Sequence, residues 1–134
     1  MEAQCQCGAL TAQVDDAARP LTIACHCVQC QRRSGSPFGV IAYYPKEFVR
    51  IVGEAREFTR GSHLGSTVTN GFCPNCGGTI YLRLEKNPAM MGVPVGAFGD
   101  GGFPAPQLAV WESEKHPWVV FPDSVHRFVR GTEG

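Results

Sequence analysis

The sequence has no excess of charge of either sign. Lys+Arg 12 against Asp+Glu 12 gives a formal net charge of zero at pH 7. A nucleic-acid binder draws much of its affinity from neutralising phosphates, so the missing basic balance argues against DNA or RNA as a partner. No apolar run approaches the roughly 20 residues needed to cross a bilayer as a helix. Nor do the residues before Cys5 have the basic and apolar regions of a secretory leader. The expectation is a soluble cytoplasmic chain with no membrane partner. Helix signals are equally scarce. The best is Val28 to Arg33, stopped by Gly35 and Pro37.

The composition that is present points to a folded, turn-rich chain. Hydrophobic residues make up 43% of 134 positions, which suits one packed domain spanning 1–134. Gly 16 and Pro 10 favour short strands over long helices. Strands are expected at Ala9 to Val14, Leu21 to Cys25, Phe38 to Tyr44 and Phe48 to Val52. Further ones are expected at Glu54 to Thr59, Ser66 to Gly71 and Thr79 to Leu84, with late ones at Leu108 to Trp111 and Trp118 to Phe121. Gly96 to Pro106 reads as a loop of the kind that covers or lines a site.

The seven cysteines are an odd count that disulfides alone cannot satisfy. They form three groups: Cys5-Gln6-Cys7, Cys25-His26-Cys27-Val28-Gln29-Cys30, and Cys73-Pro74-Asn75-Cys76-Gly77-Gly78. In a reducing compartment such clusters bind metal more often than they form disulfides. Residues i and i+2 of an extended segment share a face, so a CxC can chelate from one side. A CxxC in a tight turn brings two sulfurs together, and the glycine after it lets the backbone fold around them. Joining Cys5 and Cys7 to Cys73 and Cys76 closes a four-thiolate zinc site and leaves Cys25, Cys27 and Cys30 as a local trio. Pairing Cys27 and Cys30 with Cys73 and Cys76, as in a zinc ribbon, strands the other three. The first partition uses every cysteine and is favoured.

A closed tetrahedron is structural, whereas three protein ligands keep one position for water, thiol or substrate. The bland alternative for the trio is a set of buried or redox-labile thiols without metal. Three thiolates around Zn2+ leave a net negative charge. Arg32 and Arg33, just beyond Cys30, can offset it or hold ligand carboxylates; otherwise they are solvated helix-end charges. The residues suggest a small, anionic, sulfur-containing partner. His26 would have to reach past two flanking cysteines to ligate and reads as a surface residue or one behind the ligands. His63, His116 and His126 lack metal spacing. Trp111 and Trp118 read first as core. There is no Ser/His/Asp order, nucleophile elbow or phosphate loop, and Glu112 and Glu114 make no convincing acid/base pair.

In this order, three cysteine-bearing segments resemble the glutathione-dependent formaldehyde-activating enzyme family. They are Cys5-Gln-Cys-Gly-Ala-Leu, Cys25-His-Cys-Val-Gln-Cys-Gln-Arg-Arg-Ser-Gly-Ser-Pro-Phe38 and Gly71-Phe-Cys-Pro-Asn-Cys-Gly-Gly-Thr79. The similarity continues through Val95-Gly-Ala-Phe-Gly-Asp100 and Val110-Trp-Glu-Ser-Glu-Lys-His-Pro-Trp118. The resemblance implies a mostly β, β-tent fold of several antiparallel sheets around zinc, with little helix. It implies two Zn2+ per chain: a structural ion on Cys5, Cys7, Cys73 and Cys76, and an active-site ion on Cys25, Cys27 and Cys30. It further implies a carbon–sulfur lyase-like activity on glutathione or a related thiol adduct of the S-hydroxymethylglutathione type. Arg32, Arg33, Phe38 and Trp118 are then candidate substrate contacts. The rival expectations are a non-catalytic glutathione-binding or protein-interaction zinc module and, less favoured, a nucleic-acid-binding ribbon.

Overall fold

The strands are short because turn residues interrupt every apolar run, and their alternation decides which face is buried. The computed structural model describes residues 1–62 and 65–132; His63 lies outside them. The chain is mostly β, with one α-helix among the described residues. It divides into two compact units, Met1–Pro20 with Ala42–Gly101, and Leu21–Ile41 with Gly102–Gly134.

The first unit holds a small antiparallel sheet in the order β1 (Glu2–Gln4), β2 (Thr11–Val14), β5 (Val49–Val52). Its register aligns Ala3 with Ala12 and Ala12 with Ile51. Along β2, Ala12 and Val14 are buried while Thr11 and Gln13 are half-covered, the period of two that one-sided burial imposes. β4 (Gly39–Pro45) enters this unit at Ala42. β6 (Arg56–Gly61), β7 (Thr67–Phe72), β8 (Thr79–Leu84) and β9 (Met90–Pro94) follow as consecutive neighbours. The β7–β8 and β8–β9 ladders are antiparallel, as is β6–β7. The buried residues Leu10, Tyr44, Ile80, Leu82 and Val93 supply the apolar interior. Each large aliphatic side chain so covered contributes about 1.5–3 kcal/mol relative to exposure.

The second unit is built on parallel pairing. β3 (Leu21–Cys25) pairs with β10 (Leu108–Val110), which pairs with β11 (His126–Arg127). The sheets are therefore mixed. Ala24, Ala109 and Val125 form the buried centre, with Phe38, Val40 and Phe121 packed against it. α1 (Val28–Ser34) follows β3 after two residues. Cys27 caps its start, its sulfur accepting from the Cys30 N–H at 3.4 Å. Gly35 ends it in the left-handed conformation, φ 67°.

Two expectations need correction. Trp118 to Phe121 is not a strand. Pro117 and Pro122 bracket it without backbone N–H groups, and the Val119 N–H closes a turn on the His116 carbonyl at 3.1 Å. The expected loop at Gly96 to Pro106 begins inside a 3-10 turn, Val95–Phe98. The strands β1, β9 and β11 carried too little apolar alternation to be read from sequence. No described helix is long and apolar enough to cross a membrane.

Candidate metal centres

All seven cysteines are free of disulfides, and they gather into two groups. Cys5, Cys7, Cys73 and Cys76 place their sulfurs within 4.8 Å of one another, and so do Cys25, Cys27 and Cys30. Both groups could hold a metal ion.

The four-cysteine group is made by two turns of the first unit. After β1, the Gly8 N–H closes a turn on the Cys5 carbonyl at 3.0 Å, and the Leu10 N–H donates to the Cys5 sulfur at 3.3 Å. Between β7 and β8, the Gly77 N–H bonds the Cys73 carbonyl at 2.8 Å and the Cys73 N–H bonds the Gly78 carbonyl at 2.9 Å. Gly77 sits at φ 80°, where a side chain would be strained. The Asn75 N–H donates to the Cys73 sulfur at 3.4 Å. The Cys5–Cys7 and Cys7–Cys73 sulfur separations are 3.7 and 3.6 Å, close to the edge of a tetrathiolate tetrahedron.

The electrostatics favour the thiolate at Cys76 and Cys7, whereas at Cys73 the backbone of Cys76 pulls the thiol down but burial and the neighbouring Cys7 and Cys5 sulfurs outweigh it and raise it. The backbone N–H of Cys7, then that of Gly78, faces the Cys76 sulfur and holds that thiol down at about 6. Asn75, then the backbone of Ala9, lowers Cys7 as well. Sulfurs converging under several N–H donors are suited to a soft divalent cation.

The three-cysteine group ends β3 and opens α1. Cys27 and Cys30 are buried and Cys25 is half-buried. Hydrogen bonds to Cys27 and then Cys30, followed by burial, push the Cys25 thiol far up. A hydrogen bond from Cys25 pulls Cys30 down, but its bond to Cys27 and burial outweigh that and leave it at about 11. Three thiols this close cannot all ionise unless a cation sits among them. The set fits a cation with three protein ligands.

The surroundings of the trio include residues that sequence reasoning passed over. Gln31 Nε2 donates to the His26 carbonyl at 2.8 Å and to the Glu114 carbonyl at 3.2 Å. Its Oε1 meets His116 Nε2 at 3.0 Å. Glu114 accepts from the Val28 N–H at 2.8 Å, at the start of α1. Spacing carries no sign of the contacts that involve Glu114 and His116, because they join positions more than eighty residues apart. His26 is not at the surface, as one reading allowed, but fully buried. Its ring packs on Phe38 and Phe121 with centroids 5.6 and 5.5 Å away, and burial lowers its pKa against the pull of Glu112. Glu112, 4.0 Å from His26, accepts from Arg127 Nε with both oxygens at 2.9 and 3.1 Å.

Of the candidate contacts, Arg32 is exposed and Arg33 half-buried beside Cys30. Phe38 is half-buried against His26. Trp118 is not core but 69% exposed, its ring edge-on to His116 at 6.0 Å.

Comparison with known proteins places these groups in context. The family model for the glutathione-dependent formaldehyde-activating enzyme matches residues 1–114. A Penicillium rubens protein named "Putative glutathione-dependent formaldehyde-activating enzyme" is 28% identical over 102 residues, 70% of this chain and 53% of its own. A Colletotrichum graminicola protein of the same name is 28% identical over 96 residues, 67% of this chain and 48% of its own. The chain thus spans about half the length of these curated relatives. A crystal structure of a Rhodobacter sphaeroides protein shares the fold, with TM-score 0.55 and 24% identity over 78% of this chain and 91% of that one.

Proposed function

The chain belongs to the glutathione-dependent formaldehyde-activating enzyme family, and from that premise we propose that it is a zinc-dependent carbon–sulfur lyase-like protein acting on glutathione or a related thiol adduct. The observation that carries this reading is the contrast between the two cysteine groups. One has four sulfurs and the other three, each within 4.8 Å. Tetrahedral zinc with four thiolates is closed and structural; with three it retains a position for a ligand. A metal–sulfur distance of about 2.3 Å makes the tetrahedron's edge about 3.8 Å, and the 3.6 and 3.7 Å sulfur separations support this reading.

In this reading Cys5, Cys7, Cys73 and Cys76 hold a structural Zn2+, and Cys25, Cys27 and Cys30 hold a second. Held by Cys25, Cys27 and Cys30, the second ion would supply a soft Lewis-acidic position favouring the thiolate form of a thiol. In the proposed reaction a carbon–sulfur bond would form between the thiol sulfur and the formaldehyde carbon, the thiol proton ending on the new hydroxyl; the lyase direction would reverse this. Arg32 and Arg33 supply positive charge beside the site for an anionic thiol. Phe38, half-buried, and Trp118, exposed, are the apolar contacts proposed for it. A cytoplasmic setting, where glutathione is abundant and thiols stay reduced, suits all seven free cysteines.

One observation favours a second reading, a thiol-binding or protein-interaction zinc module without catalysis. Two acids that contact the trio's segment are already engaged: Glu112, 4.0 Å from His26, by Arg127, and Glu114 by the Val28 N–H. Glutathione and formaldehyde consumption, measured with the native protein and with Cys27→Ser, separates the readings. Native acceleration that Cys27→Ser abolishes supports the lyase. Calorimetric glutathione binding without acceleration supports the module, and equal rates above background in both proteins overturn the lyase.

A further inference from the structure

Arg32 and Arg33 are identical in sequence character, yet the fold treats them differently. Arg32 is exposed, so its charge is screened by solvent. Arg33 is half-buried, and its Nε is buried without a hydrogen-bond partner. A buried donor on a charged group is costly unless something nearby accepts charge from it.

The seat of Arg33 is Gly39, the first residue of β4. A Cβ on Gly39 would lie 2.6 Å from Arg33 Nη2 and 3.8 Å from its Cζ, and 3.6 Å from the Cys30 Cβ. The guanidinium and a trio cysteine therefore flank the same small space. Gly39 is buried, and it is not among the glycines with positive φ. Its backbone suits any residue; what the fold uses is the missing side chain. A divalent ion on three thiolates retains one net negative charge, and a fixed cation beside Cys30 offsets it.

We propose that Arg33, seated on Gly39, is the resident counter-cation of the three-cysteine metal centre, while Arg32 remains free for an incoming anionic ligand. Arg33 is thus a positioning residue for the metal, and Gly39 is the space that admits it. The inference rests on the reading that the trio binds zinc.

Metal affinity tests it without any thiol substrate. The full chain is loaded with Cd2+ as a zinc surrogate, each centre is followed by its own cadmium NMR resonance, and a chelator is titrated in. Arg33→Gln is expected to weaken the three-cysteine centre at least about tenfold, as loss of an outer partner of metal ligands does. Gly39→Ala should do the same with the arginine still present, because its Cβ displaces the far end of a flexible side chain. Arg32→Gln, which removes the same charge one residue away, should stay within about twofold of native. The four-cysteine resonance should be unchanged in all three and serves as the check on folding. Native affinity in Arg33→Gln, or an equal loss in Arg32→Gln, overturns the inference alone. A native chain that takes up only one Cd2+ overturns the reading beneath it as well.

Discussion

At the scale of single residues, the proposed function assigns fold and chemistry to different cysteine groups, and each assignment can be tested alone. The Cys73 sulfur is buried and accepts an N–H from Asn75 within the turn joining β7 to β8. A structural Zn2+ contributes apparent free energies of about 10–16 kcal/mol in small zinc domains, as large as the whole stability of a typical domain. Cys73→Ser is therefore expected to abolish cooperative thermal unfolding, read by circular dichroism. Cys25→Ser should keep its melting transition within a few degrees of native and lose glutathione binding by calorimetry. A Cys73→Ser protein that melts like the native one would refute the structural assignment. The gathering of the cysteines into a four and a three was legible in the sequence, because a CxC, a CxCxxC and a CxxCGG encode local sulfur convergence. The distinct settings of Arg32 and Arg33 were not legible. They depend on which side of α1 meets Gly39, and seven helical residues give too short a pattern to reveal it.

At the scale of elements, α1 is fastened by side chains rather than by helix propensity. Seven residues are too few to form a stable helix in isolation. Gln31 ties it to the His26 and Glu114 carbonyls and to His116. Gln31→Ala should raise amide hydrogen exchange in α1 by about tenfold, the equivalent of one or two lost hydrogen bonds, with exchange in β7 and β8 unchanged. The neighbouring strands β6, β7 and β8 carry a pH-sensitive counterpart, with Glu57 on β6 and Tyr81 and Arg83 on β8. Arg83, and then Tyr81, donates to Glu57 and holds its carboxyl below the usual range; the Arg83 Nη2 contact is 2.9 Å. A depressed folded pKa means stability that is full above the unfolded carboxyl pKa of about 4.3 and lost as pH falls through the lower folded value. The native melting temperature should exceed that of Glu57→Gln at neutral pH, and the gap should close in acid. A gap that widens as pH falls would contradict this sign. Strand positions were readable where polar and apolar residues alternate, as in β3 and β8 (both with their ends as expected). Trp118 to Phe121 misled because aromatic and β-branched residues there lie on a proline-bracketed turn, two of them largely exposed.

At the scale of the molecule, metal removal should proceed in two stages. The trio, with three ligands, should release its ion to a chelator first, with far-ultraviolet circular dichroism unchanged. The four-cysteine group should follow at higher chelator concentration, with loss of β signal, so that metal content and secondary structure report separate events. A single concerted loss would contradict the division of roles. The four-cysteine group also sets a clock. Cys7 and Cys73 are 66 positions apart, so at about 5–20 residues per second a ribosome needs roughly 3–13 s to deliver the second turn after the first. The second unit likewise waits for residues from Gly102 onward to join Leu21–Ile41. Neither unit can be completed from its opening segment, and during that interval Cys5 and Cys7 stand without Cys73 and Cys76. Metal supply and thiol protection during synthesis should therefore bear on how much folded protein a cell obtains.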